Sequence, residues 1–251
     1  MSYKNAKEAL SMEGVSFDVQ AYTKQGLGRP NNQDCIGYGS WIGEQNEACG
    51  SKSKFEFDDF PQLFLVADGM GGHDDGATAS KLVISILKNH FKHQKEFSIK
   101  EAISDTHSQL TIRGQHSTRP MGSTIVGCII NSEEITYFNV GDSAAFEIDQ
   151  TSILQITRDD HRDAGRQNVL SQCLGGGIRL PKPNVFRSPL ISQKTILLVS
   201  DGVSKVLDPP KIYEIAMKSN VDMAQRLCDE AQFNGSRDDV SALVIRPQHN
   251  S

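Results

Sequence analysis

The sequence predicts an α+β fold in which antiparallel sheets pack face to face and helices flank them. Two observations carry this. Strand-like runs recur along the 251 residues without the regular strand–helix alternation of a parallel sheet. Two of the runs, LFLVA at 63–67 and ILLVS at 196–200, are apolar almost throughout, as strands covered on both faces must be.

Alternating or continuous apolar runs place strands at about 15–22, 35–41, 62–67, 123–130, 134–140, 143–148, 152–157, 183–188, 195–200 and 240–246. Between them, Ala79, Leu82, Val83, Ile86, Leu87, His90 and Phe91 recur at helical spacing and form one apolar face. Gly76 is expected to mark the start of that helix. A second helix is expected over about 99–113 and a third over about 221–233. A short helix should begin at Pro210, since proline suits the first helical turn. Residues 42–60 are polar and rich in glycine, serine and charge, and are expected to form a long surface loop. Residues 158–182 lack periodicity and are expected to form another. The resulting division is an N-terminal extension at 1–14, one domain at 15–247 and a tail at 248–251.

Composition narrows the function classes. Hydrophobic residues make up 37% and charged residues 23%, which suits a globular chain. No apolar run approaches the roughly 20 residues that cross a bilayer, so no membrane partner is expected. The N-terminus lacks the apolar core of a secretory signal. A net charge of −5, from 26 basic and 31 acidic residues, argues against nucleic acid, whose binding rests on phosphate neutralisation. The five cysteines, Cys35, Cys49, Cys128, Cys173 and Cys228, are scattered and show no C-x-x-C pair. They suit a reducing, cytoplasmic compartment rather than a disulfide framework or a zinc site.

The chemistry sits in acids at strand ends. Asp68 and Asp201 each follow an apolar strand and each precede a glycine. Asp142 repeats the pattern with Gly141 before it, Asp34 opens the second strand, and Asp238 precedes the last. Glycine lets the backbone turn tightly and approach a ligand. Five such acids would repel one another if brought together without a counter-charge. Hard divalent cations supply that charge and prefer oxygen donors, which favours magnesium or manganese over zinc here.

Read in order, these segments resemble the type 2C, or PPM, family of metal-dependent protein phosphatases of the bacterial type. The motifs are G-L-G-R-P-N-N-Q-D at 26–34, V-A-D-G-M-G-G-H at 66–73, G-A-T-A-S at 76–80 and G-S-T at 122–124. N-V-G-D-S at 139–143, T-R-D-D-H at 157–161, L-G-G at 174–176, L-L-V-S-D-G at 197–202 and S-R-D-D-V-S at 236–241 complete the series. The resemblance implies a four-layer α-β-β-α sandwich with two central antiparallel sheets. It implies two ions of Mn2+ or Mg2+ per subunit, with Asp68 bridging them. Asp201 and Asp238 would complete one ion's ligands. The Gly69 carbonyl and Asp34 would serve the other. Asp142 matches an acid that binds a third, weaker metal, and Arg29 matches the arginine that grips the substrate phosphate.

The implied activity is that of a protein serine/threonine phosphatase, a phosphoric monoester hydrolase used in signalling. A metal-bridging hydroxide would attack phosphorus directly. The expected partner is a phosphorylated protein, the product of a serine/threonine kinase, acted on by a monomer. Two competing functions share the fold: hydrolysis of small phosphate esters or nucleotides, and a catalytically weak regulatory module. The segment 158–182 matches the family's variable flap. The proton donor stays open between His73 and His161, because Met70 occupies the family's usual place. Gln33, Lys24, Ala77, Ala144 and Asp239 also depart from frequent residues. Lys205 departs most: an acid is frequent there, and an ammonium would repel a third cation or contact substrate phosphate instead.

Overall fold

The computed structural model describes residues 15–43, 48–56, 59–71, 74–94, 96–115, 120–160, 170–176, 179–190, 193–218 and 221–249. The extension at 1–14, His73 and His161 lie outside the described residues.

One sheet contains β1 (Val15–Lys24), β4 (Ala48–Glu56), β9 (Ala144–Ile148), β10 (Ile153–Gln155), β13 (Thr195–Val199) and β14 (Val240–His249). Its order is β10-β9-β13-β14-β1-β4. The other contains β2 (Asp34–Tyr38), β3 (Trp41–Gly43), β5 (Gln62–Met70), β6 (Gly122–Ser123), β7 (Ile125–Ile130), β8 (Glu134–Val140), β11 (Leu174–Gly175) and β12 (Asn184–Pro189). Its order is β11-β6-β5-β7-β8-β12, with β2 pairing both β5 and β3. All the pairings in both sheets are antiparallel.

Three apolar clusters show why the layers stack as they do. Phe17, Val19, Ile36, Phe64, Val66, Tyr137, Ile196, Leu198, Leu243 and Ile245 meet between the sheets. The alternate residues of the same strands face outward. Leu63, Leu65 and Ala67 pack with Ala79, Val83 and Leu87 of α1 (Asp74–His93) and with Ile103 and Leu110 of α2 (Ile99–Gly114). Leu197, Val199, Ala242 and Val244 pack with Val203 of α3 (Asp201–Ser204), Ile212 of α4 (Pro209–Lys218) and Leu227 of α5 (Met223–Phe233). Side chains alternate across a strand, so a strand buried on both faces has no polar phase. This is the physical content of the LFLVA and ILLVS runs. The result is the expected four-layer α-β-β-α sandwich.

The helices begin where local chemistry allows. Ser98 caps α2, its hydroxyl accepting from the Glu101 N–H at 3.4 Å. Pro209 and Pro210 open α4. Helix α1 starts at Asp74, two residues before Gly76.

Residues 42–60 depart from expectation. They contain the end of β3 and the nine-residue β4, which pairs with β1 along its length. The strand was hidden because its inward residues, Cys49, Ser51, Ser53 and Phe55, are mostly small and polar. They are served by the Tyr38 hydroxyl, which lies 2.8 Å from Ser51 Oγ and 3.2 Å from Ser53 Oγ. Lys52 and Lys54 point outward along this sheet edge, a pattern that discourages pairing with another chain. Strand β14 runs to His249, so residues 248–249 belong to the sheet rather than to a tail.

Strand β11 is anchored from the helix layer. The Gly175 N–H donates to His107 Nδ1 at 3.1 Å, and burial holds the His107 pKa below its ordinary value. The folded protein therefore prefers neutral imidazole.

Two predictions follow from these anchors. Tyr38→Phe should cost about 1 kcal/mol in chemical denaturation and speed hydrogen exchange in 48–56; unchanged exchange there would remove the anchoring role. His107 binds fewer protons folded than unfolded, so its contribution is present above about pH 6.5 and lost as pH falls below it. Between pH 7.5 and 5 the thermal midpoint should fall more steeply in the wild type than in His107→Asn.

Candidate active site

The inward rows of four neighbouring strands change character at the same end of the sandwich. Phe64 and Val66 lead to Asp68, and Tyr38 and Ile36 lead to Asp34. On the facing sheet, Ile196 and Leu198 lead to Ser200, and Ile245 and Leu243 lead to Ser241. The two-residue period of a strand thus delivers polar side chains from both sheets to one mouth.

Asp34 and Asp68 are direct partners in the β2–β5 ladder. The ladder between β5 and the β6–β7 line is interrupted beside Asp68. There the Asp68 N–H donates to Thr124 Oγ1 at 3.1 Å, and the Asp68 carbonyl accepts from Thr124 N at 2.8 Å and Ser123 Oγ at 3.0 Å. Strand β5 continues through Gly69 and Met70, so Asp68 sits inside the strand rather than at its end. Gly69 is obligatory at this place. A Cβ there would lie 1.9 Å from the Gly76 carbonyl oxygen, so helix α1 could not approach.

Asp201 opens α3, directly after β13, and Asp238 precedes β14. Asp34 Oδ2 accepts from Ser200 Oγ at 2.7 Å and so ties the two sheets together. Asp142 lies in the turn that carries the chain from β8 in one sheet to β9 in the other. Arg29 pairs with Asp238. Lys205 Nζ lies 2.6 Å from Asp201 Oδ2 and 2.7 Å from Asp142 Oδ2.

The electrostatics of the mouth are unfavourable. Burial, then Asp239, raises the Asp34 pKa well above the usual carboxylate range, against hydrogen bonds from Ser200 and Ser241. Burial and the charges of Asp201, Asp34, Asp238 and Asp142 do the same to Asp68. Two like charges about 5 Å apart repel by about 3 kcal/mol at an effective dielectric of 20. A few such pairs rival a domain's whole stability of about 5–15 kcal/mol. Among the described residues, Asp34 Oδ1 and Asp201 Oδ1 are buried without a hydrogen-bond partner.

The donor set suits a hard divalent cation: carboxylates and a backbone carbonyl, two of the carboxylates with an orphaned oxygen. Among the described residues, no three acid, histidine or cysteine side chains stand ready to share one ion as they are. Arg29 and Lys205 engage three of the carboxylates, Asp238, Asp142 and Asp201.

Two acids escaped sequence reasoning. Asp239 stands in the sequence only as a departure from a frequent residue, with no role attached, yet its carboxylate accepts from Gly26 N at 2.7 Å and Gln33 N at 2.8 Å. It therefore holds the 26–33 loop that carries Arg29. The only signal in the sequence is its place beside Asp238. Asp160 accepts from Gly141 N at 3.0 Å and from Gln172 and Asn184 side chains at 3.1 Å each. It pins the start of the 158–182 segment to the turn that carries Asp142.

Comparison with known proteins agrees with this geometry. The protein phosphatase 2C family model matches residues 47–240, more than half of the chain. A serine/threonine phosphatase stp from Listeria welshimeri is 24% identical over 221 residues, covering 76% of this chain and 86% of that protein. The crystal structure of the serine/threonine phosphatase Stp1 from Staphylococcus aureus superposes with a TM-score of 0.75 at 25% identity, covering 91% of this chain and 94% of that one. The catalytic domain of the serine/threonine protein phosphatase PstP, solved in complex with two manganese ions, shares the fold with a TM-score of 0.72 at 23% identity, covering 93% and 99% of the two chains. With a matched segment that contains strands of both sheets and Asp68, Asp142, Asp201 and Asp238, the chain belongs to the protein phosphatase 2C family.

Proposed function

We propose that this chain hydrolyses phosphoserine and phosphothreonine in proteins, using two divalent cations, Mn2+ or Mg2+, held by Asp34, Asp68, the Gly69 carbonyl, Asp201 and Asp238. The observation that carries the reading is the crowding of these carboxylates at one mouth, with Asp34 Oδ1 and Asp201 Oδ1 buried and unpartnered. The serine/threonine phosphatases among the relatives support the substrate class, and the manganese-bound PstP domain supports the cofactor. Bound ions would supply positive charge for the phosphoryl oxygens and a water acidic enough to attack phosphorus.

The chain's own groups do the rest. Asp68 is central in the charge pattern, since Asp201, Asp34, Asp238 and Asp142 all act on it. Its backbone is clamped by Thr124, which keeps the carboxylate rigid. The planar Arg29 guanidinium, half-exposed beside Asp238, can offer two parallel N–H groups to a phosphate. Asp239 keeps that arginine's loop in place. Asp142 stands outside the two-ion set, since the family resemblance gives it to a third, weaker metal; Lys205 engages both it and Asp201. The proposed substrates are products of a serine/threonine kinase.

With a phosphothreonine peptide and Mn2+, Asp68→Asn should lose at least about 100-fold in kcat/KM, given that even outer-shell partners of a metal are worth 10–100-fold. Full activity in that variant would refute the mechanism. A nucleotide panel run beside the peptide separates protein substrates from small esters: faster turnover of nucleotides would replace the substrate class. In chelator, Asp34→Asn should be more stable than the wild type by about 1 kcal/mol or more, because one repelling charge is gone. Adding Mn2+ should stabilise the wild type and the variant less. Lower stability of the variant in chelator would show that the carboxylates are not strained against one another.

A further inference from the structure

Lys205 lies one helical turn after Asp201. Its ammonium sits between two carboxylates, 2.6 Å from Asp201 Oδ2 and 2.7 Å from Asp142 Oδ2. Those acids come from different places. Asp201 begins α3 after β13, and Asp142 lies in the β8–β9 turn. Both are largely buried, with side chains 13% and 5% exposed.

The surroundings fix this bridge from every side. The Lys205 N–H donates to the Asp201 carbonyl at 2.9 Å, and Val203 and Leu207 are buried in the core beneath α3. On the other side, Gly141 N donates to Asp160 Oδ2 and Asp160 N donates to the Gly141 carbonyl, both at 3.0 Å. Gly141 has φ +105°, and a Cβ on it would lie 2.7 Å from Thr124 Cγ2. The Asp142 turn therefore has little freedom to swing its carboxylate elsewhere. Ser143 Oγ lies 2.8 Å from Thr124 Oγ1, the same residue that clamps Asp68.

We propose that Lys205 is a built-in cation that takes the place of a metal ion between Asp142 and Asp201, and that it positions Asp201 for the two-ion centre. An ammonium has three N–H donors, and two are spent on these carboxylates. A divalent cation sharing the same two oxygens would lie within about 5 Å of the ammonium, given metal–oxygen distances near 2.1 Å. Ion and ammonium would repel one another while competing for the same lone pairs. The bridge also orients Asp201: Oδ2 faces Lys205, which leaves the buried Oδ1 as the unpartnered oxygen. Asp201 is the carboxylate acting most strongly on Asp68, so this orientation reaches the centre directly. Removing the ammonium would leave Asp142 buried and uncompensated, a state that a divalent cation relieves.

The inference rests on the two-ion reading for the role of Asp201, but its test is a difference between variants. Mn2+ bound per chain is counted on the full chain at saturating Mn2+ from the loss of the free-ion electron paramagnetic resonance signal. Lys205→Ala should bind one more ion than the wild type. Adding Asp142→Asn to Lys205→Ala should remove the extra ion, and Lys205→Arg should bind as the wild type does. Asp142→Asn alone should leave the count unchanged. A folded Lys205→Ala protein with the wild-type count overturns the proposal. Loss of one ion in Asp142→Asn alone also overturns it, and that result decides the matter if Lys205→Ala does not fold. The wild-type count bears separately on the two-ion reading: a wild type that binds no Mn2+ sinks that reading, while the gain or absence of an ion on removing Lys205 still judges this one.

Discussion

Carboxylates gathered at the mouth of an apolar sandwich impose the constraint on which much of this structure depends. The inward rows of Phe64–Val66 and Tyr38–Ile36 cannot shift register without moving their apolar side chains to the wrong face. Asp68 and Asp34 are thereby held opposite each other, whatever their mutual repulsion. The energy that holds them comes from the core rows that adjoin them, Val66 beside Asp68 and Ile36 beside Asp34.

The local devices around the acids make sense under that constraint. Thr124 clamps the backbone of Asp68, Ser200 satisfies one oxygen of Asp34, Arg29 answers Asp238, and Lys205 answers Asp142 and Asp201. Burial opposes the charge on Lys205, but Asp201 and Asp142 outweigh it and raise its pKa above the ordinary lysine value. The glycines serve the same end by allowing close approach. Gly69 admits the first turn of α1, and Gly202 admits the backbone of Asp239, whose carbonyl oxygen would lie 2.0 Å from a Cβ. Cations, hydroxyls and close backbone packing thus share the task of holding negative charge where solvent cannot fully screen it.

Loops beside the mouth are tied in by acids that take no part in the proposed ion set. Asp239, 3% exposed, receives two backbone N–H groups from the 26–33 loop. Burial raises its pKa, while those two hydrogen bonds work in the opposite direction. Asp160 does a similar job for the segment that begins at 158. The two bonds to Asp239 go to different oxygens of the carboxylate, so an asparagine, whose Nδ2 only donates, could accept just one of them in this geometry. Asp239 thus fastens the loop that carries Arg29.

The amino-acid sequence by itself determined the layers and the acids. Strands without a polar phase require cover on both faces, so LFLVA and ILLVS dictate a sandwich with outer helices. Acids at strand ends next to glycine, together with the ordered family motifs, were legible because they are local patterns. Tertiary structure decided what depends on a distant partner. Strand β4 has no apolar alternation, and the Tyr38 hydroxyl, the packing of Phe55 and the β1 edge make it a strand. Asp239 looked like a substitution until Gly26 and Gln33, more than 200 residues earlier, turned their N–H groups to it. Lys205 carried a positive charge in sequence, but which carboxylates it answers follows from where β8, β9 and β13 place Asp142 and Asp201. Periodicity reports which face a residue occupies. It does not report which charge, from another strand, stands across from it.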